Sequence, residues 1–297
     1  SEIAFKVDDH DESINLMNRF MSNSGADKSS NKSYGYYSIG YSYFKKKDYP
    51  KAQNYFAKYR QYETYSASNK GIYLDNTQRL GDCYFLNRQY NEAIEAYGFI
   101  IKNSYRSADY ALFQQGMLYG LQDRHSEKIQ TLKKIQNDFP KSIYIDEALY
   151  QIAREYMSLK NYSTAESIFN VLISQHDYSP YLPDSYLKLG LINYNQKNDD
   201  AALRYYKTVV ERFPKTTASQ EALSFIKIIY TNQGTPQDYF DYAANQGVSE
   251  SVTAQDSAIY ENAMRIYNSD NFEGASKELA KYIKRFGDDG YFIIPAN

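Results

Sequence analysis

Residues 137–169 read NDFPKSIYIDEALYQIAREYMSLKNYSTAESIF, a stretch in which small residues alternate with spaced aromatics. Pro140 stands near its start, and Ala148, Ala153 and Ala165 fall among Tyr150, Tyr156 and Tyr162. On a helical period of about 3.6 residues, positions three and four apart share a face. Leu149, Ile152, Ala153 and Tyr156 thus line one side of a first helix, and Tyr162, Ala165, Ile168, Phe169 and Leu172 one side of a second. The polar turn Leu159-Lys160-Asn161 lies between them. The stretch predicts an antiparallel helix pair.

The same pattern recurs along the chain. FPK appears at Phe139-Pro140-Lys141 and Phe213-Pro214-Lys215, and EAL at Glu147-Ala148-Leu149 and Glu221-Ala222-Leu223. Alignment on these gives seven copies anchored at Gly40, Gly81, Gly116, Ala153, Gly190, Lys227 and Ala263, at intervals of 41, 35, 37, 37, 37 and 36 residues. A fixed period in this range marks a solenoid, in which each helix pair buries its apolar face on its neighbours. Turns equivalent to residues 159–161 fall at Lys46-Lys47-Asp48, Asn87-Arg88-Gln89, Gln196-Lys197-Asn198 and Ser269-Asp270-Asn271.

The anchor position, eighth in the first helix, is Gly or Ala in all copies but the sixth, and the second helix carries Ala52, Ala93, Ala165, Ala202 or Ala275 twelve residues later. Helices packed at about 8–10 Å leave no room for two large side chains at their crossing. The small residues therefore mark the crossing, with Tyr43, Tyr84, Tyr119 and Tyr156 expected to fill the space beside it. The pattern describes packing and not a reactive site.

Composition narrows the function classes. There are 34 Tyr, 15 Phe and no Trp, and the net charge is −2 from 34 basic and 36 acidic residues. No basic excess exists to neutralise phosphates, so nucleic acid is not an expected partner. Lys45-Lys46-Lys47, followed by Asp48, reads as a solvated helix end. Apolar runs are only a few residues long, so no membrane span is expected. The single cysteine, Cys83, forms no intramolecular disulfide and reads as a buried thiol on a first helix. His10, His125 and His176 fall in different copies. Asp8-Asp9-His10-Asp11-Glu12 reads as an acidic helix start, since carboxylates favour that end of the dipole. Asp199-Asp200 and Asp288-Asp289 read as solvated turn residues. None of the motifs for metalloproteases, paired-cysteine metal sites, serine hydrolases or phosphate-binding loops is present, and neither an enzyme nor a cofactor is expected.

The pairing of a small residue with Tyr in the first helix, and of Ala with an aromatic residue in the second (Ala52/Phe56, Ala93/Tyr97, Ala165/Phe169, Ala202/Tyr206), with Pro140 and Pro214 closing copies, resembles the tetratricopeptide repeat family over roughly residues 34–286. The resemblance implies an all-α, right-handed superhelical solenoid. The chain departs from the pattern in lacking Trp at the fourth position and in running longer than the usual period of about 34 residues. Long copies joined by FPKS-like segments are similar to the periplasmic subgroup that includes the TolA-binding coordinator and the outer-membrane assembly lipoproteins, which implies a periplasmic or outer-membrane-associated setting in a Gram-negative cell. Lys128 in the third copy, and Lys227 and Tyr239 in the sixth, break the pattern, and looser or bent geometry is expected there.

The resemblance also implies a partner-binding concave face lined by positions two, five, nine and twelve of the first helices. These are Tyr34, Tyr37, Tyr41 and Phe44; Asp75, Gln78, Asp82 and Phe85; Tyr110, Phe113, Met117 and Gly120; and Glu147, Tyr150, Arg154 and Met157. Later copies offer a mixed set: Asp184, Leu187, Leu191 and Tyr194, then Glu221, Ser224, Ile228 and Thr231. The first four copies thus present an aromatic, partly acidic channel suited to an extended peptide or a partner's helix. Packing against the next first helix explains positions five and nine equally well. The family's carboxylate clamp needs Lys and Asn where this chain has Tyr, Asp and Phe, so that activity is not expected. Two other readings stay open: a cell-surface glycan binder, against which the absence of Trp weighs, and a structural spacer.

Three segments result: an N-terminal helix and polar linker over 1–33, a solenoid of about seven helix pairs over 34–286, and 287–297 as the start of a further copy. Glu12–Ser22 reads as one amphipathic helix, and FIIPAN (292–297) aligns with Ile143–Ala148. Solenoids need polar caps, and none is evident after Phe286, which makes the chain a piece of a longer array in this reading.

Overall fold

A computed structural model describes residues 9–22 and 32–293. Among these residues there is no strand, and the fold is all-α. The chain divides into two compact units, Ser1–Leu159 and Lys160–Asn297.

The first unit begins with α1 (His10–Met21), followed by the pairs α2 (Lys32–Lys45) and α3 (Tyr49–Tyr62), α4 (Lys70–Leu86) and α5 (Tyr90–Asn103), α6 (Ala108–Leu121) and α7 (His125–Asp138), and then α8 (Ile145–Ser158). The second contains α9 (Tyr162–Gln175) and the pairs α10 (Leu182–Asn195) and α11 (Asp199–Arg212), α12 (Thr217–Gln233) and α13 (Pro236–Asn245), α14 (Val252–Tyr267) and α15 (Phe272–Phe286). Within each unit a helix packs chiefly on those before and after it in sequence, as a helical repeat requires.

The short turns that separate the helices share one device. Lys47, Arg88, Asp123, Lys160, Lys197 and Asp270 all take φ between 56° and 64°. This left-handed conformation reverses the chain within three residues and is unfavourable for a residue with a Cβ. The next residue then caps the following helix in several copies. Asp48, Asn161, Asn198 and Asn271 each accept a hydrogen bond from a first-turn amide, at 3.2, 3.2, 3.4 and 3.0 Å.

The anchor residues do lie at close approaches. A Cβ on Gly116 would stand 2.6 Å from Leu132, one on Gly190 2.5 Å from Tyr206, and one on Gly40 2.8 Å from Phe56. What fills the space differs from the sequence-based expectation. The large residue sixteen positions on, Phe56, Leu132 or Tyr206, covers the glycine, whereas Tyr43, Tyr84 and Tyr119 stay half-buried. Helical side chains lean towards the N-terminus of their own helix. A large residue one turn beyond the alanine therefore reaches back over the crossing. The alanines themselves, Ala52, Ala93 and Ala202, are fully buried.

The two irregular copies are compensated in different ways. Lys128 is buried, and its Nζ lies 2.5 Å from Glu155 Oε2 on α8. Gly120 leaves room for the lysine stem, because a Cβ there would sit 3.0 Å from Lys128 Cδ. α7 keeps the 14 residues of its neighbours. In the sixth copy Lys227 Nζ meets Glu250 Oε1 at 3.0 Å and lies 5.3 Å from the Tyr239 ring. Here the irregularity shows as a second helix, α13, of only 10 residues.

Both flanking segments dock on the repeats. α1 is amphipathic as expected, with Ile14 and Met17 buried against Ile39 and the polar residues Asp11, Glu12, Asn15 and Asn18 exposed. Asp9 caps it, accepting from the Glu12 amide at 3.0 Å, which is the acidic helix start foreseen around His10. Asp11 also pairs with Lys46. Beyond the 3-10 turn Gly287–Asp289, the Phe292 ring stacks on Tyr260 with centroids 4.4 Å apart, and the Tyr291 amide donates to Asp256 Oδ2 at 2.7 Å. In the first unit Tyr144 stacks on Phe113 at 5.2 Å, and the Ser142 hydroxyl donates to Asp109 Oδ2 at 2.7 Å. Phe292 thus stands where Tyr144 does, one residue along from the alignment with Ile143. The remainder of FIIPAN, 294–297, and the linker 23–31 lie outside the described residues.

Candidate partner-binding face

All sixteen residues from Tyr34 to Met157 in the partner-facing register lie in the first unit, on α2, α4, α6 and α8. A continuous polar ladder joins three of these helices. The Tyr37 hydroxyl on α2 donates to Asp75 Oδ2 on α4 at 2.6 Å. Arg79, one turn along α4, approaches Asp75 at 3.6 Å and Asp82 at 3.4 Å. Asp82 Oδ1 then accepts from Tyr97 of α5 at 2.8 Å and from Tyr110 of α6 at 2.7 Å.

Asp82 is buried, and burial raises its carboxyl above the usual range against the pull of the Tyr110 and Tyr97 hydroxyls. Burial, and after it the neighbouring aspartates, pushes the phenols of Tyr37, Tyr97 and Tyr110 well above the ordinary tyrosine value, so all three stay protonated as donors.

Tyr37, Asp75, Asp82 and Tyr110 therefore tie first helices together. Phe113 is also buried, stacked on Tyr144, and Tyr150 is buried with the Arg154 guanidinium 5.7 Å from its ring. Tyr34, Tyr41, Phe44, Gln78, Phe85, Met117 and Met157 are half-buried, and Arg154 is exposed. Tyr41 and Phe44 flank the Arg79 guanidinium at 5.8 and 5.5 Å. In the second unit, Leu187 is buried, Tyr194 packs on Phe225 at 5.9 Å, and Ile228 is exposed.

Arg79 was not among the residues drawn from sequence, because it occupies position six. Its place between Asp75 and Asp82, four residues after one and three before the other, was the available signal. A cleft beside it was also missed. It measures about 490 Å³ and lies between Gln78 and Arg79 of α4, Arg106 and Ser107 before α6, Asp109 and Tyr110 at its start, and Lys141–Tyr144 before α8. Ile143, 85% exposed, stands at its edge. These residues are far apart in sequence and meet only through the stacking of three copies.

Elsewhere the titratable groups are held in structural roles. Cys83 is fully buried, and burial, with the Asp82 charge behind it, pushes its thiol up to about 12, so it is protonated and unreactive at neutral pH. Glu155 takes hydrogen bonds from Lys128 and His125. Although burial works against its charge, those two partners hold its carboxyl below the usual range. Asp199 and Asp200 open α11. Among the described residues no helix is long and apolar enough to cross a membrane. The arrangement of the first unit, with fixed aromatic and hydrogen-bonding groups around a cleft, suits recognition.

Tetratricopeptide repeat models match residues 110–142, 146–174 and 184–216, each range covering two consecutive helices. No curated protein matches the sequence. Among solved structures, a tetratricopeptide repeat protein from Parabacteroides merdae is similar at 15% identity, covering 90% of this chain and 98% of that one, with a TM-score of 0.55. The C-terminal part of a repeat-containing protein from Cytophaga hutchinsonii is similar at 16% identity, covering 99% and 97%, with a TM-score of 0.56. MamA from Desulfovibrio magneticus is similar at 14% identity over 61% of this chain and 95% of that one, with a TM-score of 0.50. At these identities the likeness is one of fold.

Proposed function

Taking a chain that carries tetratricopeptide repeats as the premise, we propose a non-catalytic scaffold that binds an extended peptide or a partner's helix across the α2, α4, α6 and α8 face of the first unit. The supporting observation is the ladder from Tyr37 through Asp75, Arg79 and Asp82 to Tyr110, which ties α2, α4 and α6 together beneath half-exposed Tyr34, Tyr41, Phe44 and Met117. A surface held rigid before binding loses little entropy when a partner arrives.

The setting in this reading is the periplasm or outer membrane of a Gram-negative cell, and its support is the long period with FPKS-like joints. The chain is also read as part of a longer array, with support from Phe292 docking on Tyr260 as Tyr144 docks on Phe113.

The test is affinity capture from a cell-envelope extract with the wild type and a Tyr34→Ser/Gln78→Ala/Ile143→Ser variant. These positions are half-buried or exposed, so the fold should survive, unlike a change at buried Phe113. Partners retained by the wild type should be absent from the variant. Capture of the same partners by both would refute this face as the binding surface.

A further inference from the structure

We propose that the cleft between α4, α6 and α8 is a binding site for a carboxylate side chain, Asp or Glu, carried by an acidic peptide segment. The inference rests on the scaffold reading and specifies the chemistry of what the scaffold holds.

The charges around the cleft are unequal. Arg79, Arg106 and Lys141 line it with one carboxylate, Asp109, and since Arg79 is shared with Asp75 and Asp82 behind it, the excess positive charge comes from Arg106 and Lys141. The Asp109 carboxylate is already occupied, its Oδ1 taking the Tyr110 amide at 2.8 Å and its Oδ2 the Ser142 hydroxyl at 2.7 Å. Arg106 and Lys141 are exposed and form no ion pair with any described residue.

Arg79 is underused. Its approaches to Asp75 and Asp82, 3.6 and 3.4 Å, are long for charge-assisted hydrogen bonds, which run to about 2.7–2.9 Å. Its Nε is buried with no acceptor among the described residues. A buried donor left unmade is costly, and the Arg79 side chain, 27% exposed, lines the cleft where a carboxylate can meet its accessible edge.

Two helix ends add to the potential. Ser107 and Tyr144, the N-cap residues of α6 and α8, both border the cleft, and neither caps its helix with its side chain. Part of each first turn is already satisfied, Tyr110 N by Asp109 and Ile145 N by the Ser142 carbonyl, so the two helix ends add only a secondary pull on an anion. The cleft volume lies within the range of ligand pockets. Exposed Ile143 and the Tyr144 ring offer an apolar ledge for the residue next to the acid. A polyanion is disfavoured because the net charge of −2 supplies no field to draw one in.

The test uses the whole chain as bait for a random peptide library displayed on phage, at low salt, with wild type and Arg106→Gln/Lys141→Gln compared. Both substituted residues are exposed and unpaired, so the variant should fold, which circular dichroism checks. Wild-type selections should converge on peptides bearing Asp or Glu. Synthetic versions should lose about tenfold or more in affinity on Glu→Gln or Asp→Asn change, and by a similar factor on the double variant or on Arg79→Gln. Enrichment of neutral peptides that bind wild type and variant alike would overturn the carboxylate site while leaving the scaffold reading intact. Acidic peptides that bind the double variant and Arg79→Gln unimpaired would place the acid elsewhere and overturn the assignment. Displacement of the selected peptides by a short oligothymidylate at stoichiometric concentration would turn the site over to polyanions. No enrichment at all would remove both the site and the scaffold reading.

Discussion

Replacing Gly190 by alanine places a methyl carbon 2.5 Å from Cε1 of Tyr206. Ordinary carbon contact begins near 3.5 Å, so ring or helix must give way by about 1 Å. The ring has nowhere to go. Tyr206 is fully buried and lies flat on Phe225, centroids 5.0 Å apart and planes within 5°. Overpacking of this kind costs roughly 1–3 kcal/mol. Against it, alanine in a helix gains about 1 kcal/mol over glycine. The net expectation for Gly190→Ala is a loss of about 0–2 kcal/mol. Gly71→Ala is the control, because its added Cβ would meet nothing within 4 Å. It should gain up to about 1 kcal/mol. Urea denaturation followed by far-ultraviolet circular dichroism measures both, and the gap between them is the clash itself. If Gly190→Ala proves as stable as Gly71→Ala, the anchor residues are not where helices cross tightly, and the packing derived for every copy fails.

Three further outcomes are expected. The buried Tyr206 hydroxyl has no hydrogen-bond partner among the described residues, so Tyr206→Phe should raise stability by about 1 kcal/mol; Tyr97→Phe, which strips a donor from Asp82, should lower it. Glycine at Lys47 or Lys197, where φ is 61° and 64°, should stabilise by about 1 kcal/mol by relieving left-handed strain, visible as a higher urea midpoint. Because the folded-state pKa of Glu155 is lowered, its stabilisation is complete above the ordinary glutamate value and is lost as pH falls through the lowered one. Glu155→Gln should therefore weaken the protein at neutral pH, and the gap to wild type should close in acid, as read from thermal melts at several pH values.

The helix pairs were legible in the sequence because each copy repeats one local arithmetic, a small residue at the crossing and a reversal after the first helix. That arithmetic is carried by near neighbours, so Gly116 and Gly190 announce themselves. Contacts made through stacking were less visible. Phe56, Leu132 and Tyr206 cover the anchors because helical side chains lean back along their own axis, which spacing alone does not display. Lys128 breaks the pattern within its own copy because its partner, Glu155, comes from the next one. The proposed cleft was the hardest to foresee, since Arg79, Arg106 and Lys141 come from three copies and two of them sit in connections. The channel residues are a different case. Tyr37 spends its hydroxyl on Asp75 and Tyr110 on Asp82, and how much of the face remains for a partner depends on exposures that only the packed helices define.

The most direct measurement is site-specific photo-crosslinking in the cells from which the protein comes. A benzophenone side chain is placed at Ile143, 85% exposed beside the cleft, or at Tyr62, 54% exposed on α3. A covalent adduct with a partner protein is expected at 143 and not at 62. Adducts at 62 alone, or in equal yield at both positions, would contradict a partner held on the α2, α4, α6 and α8 face.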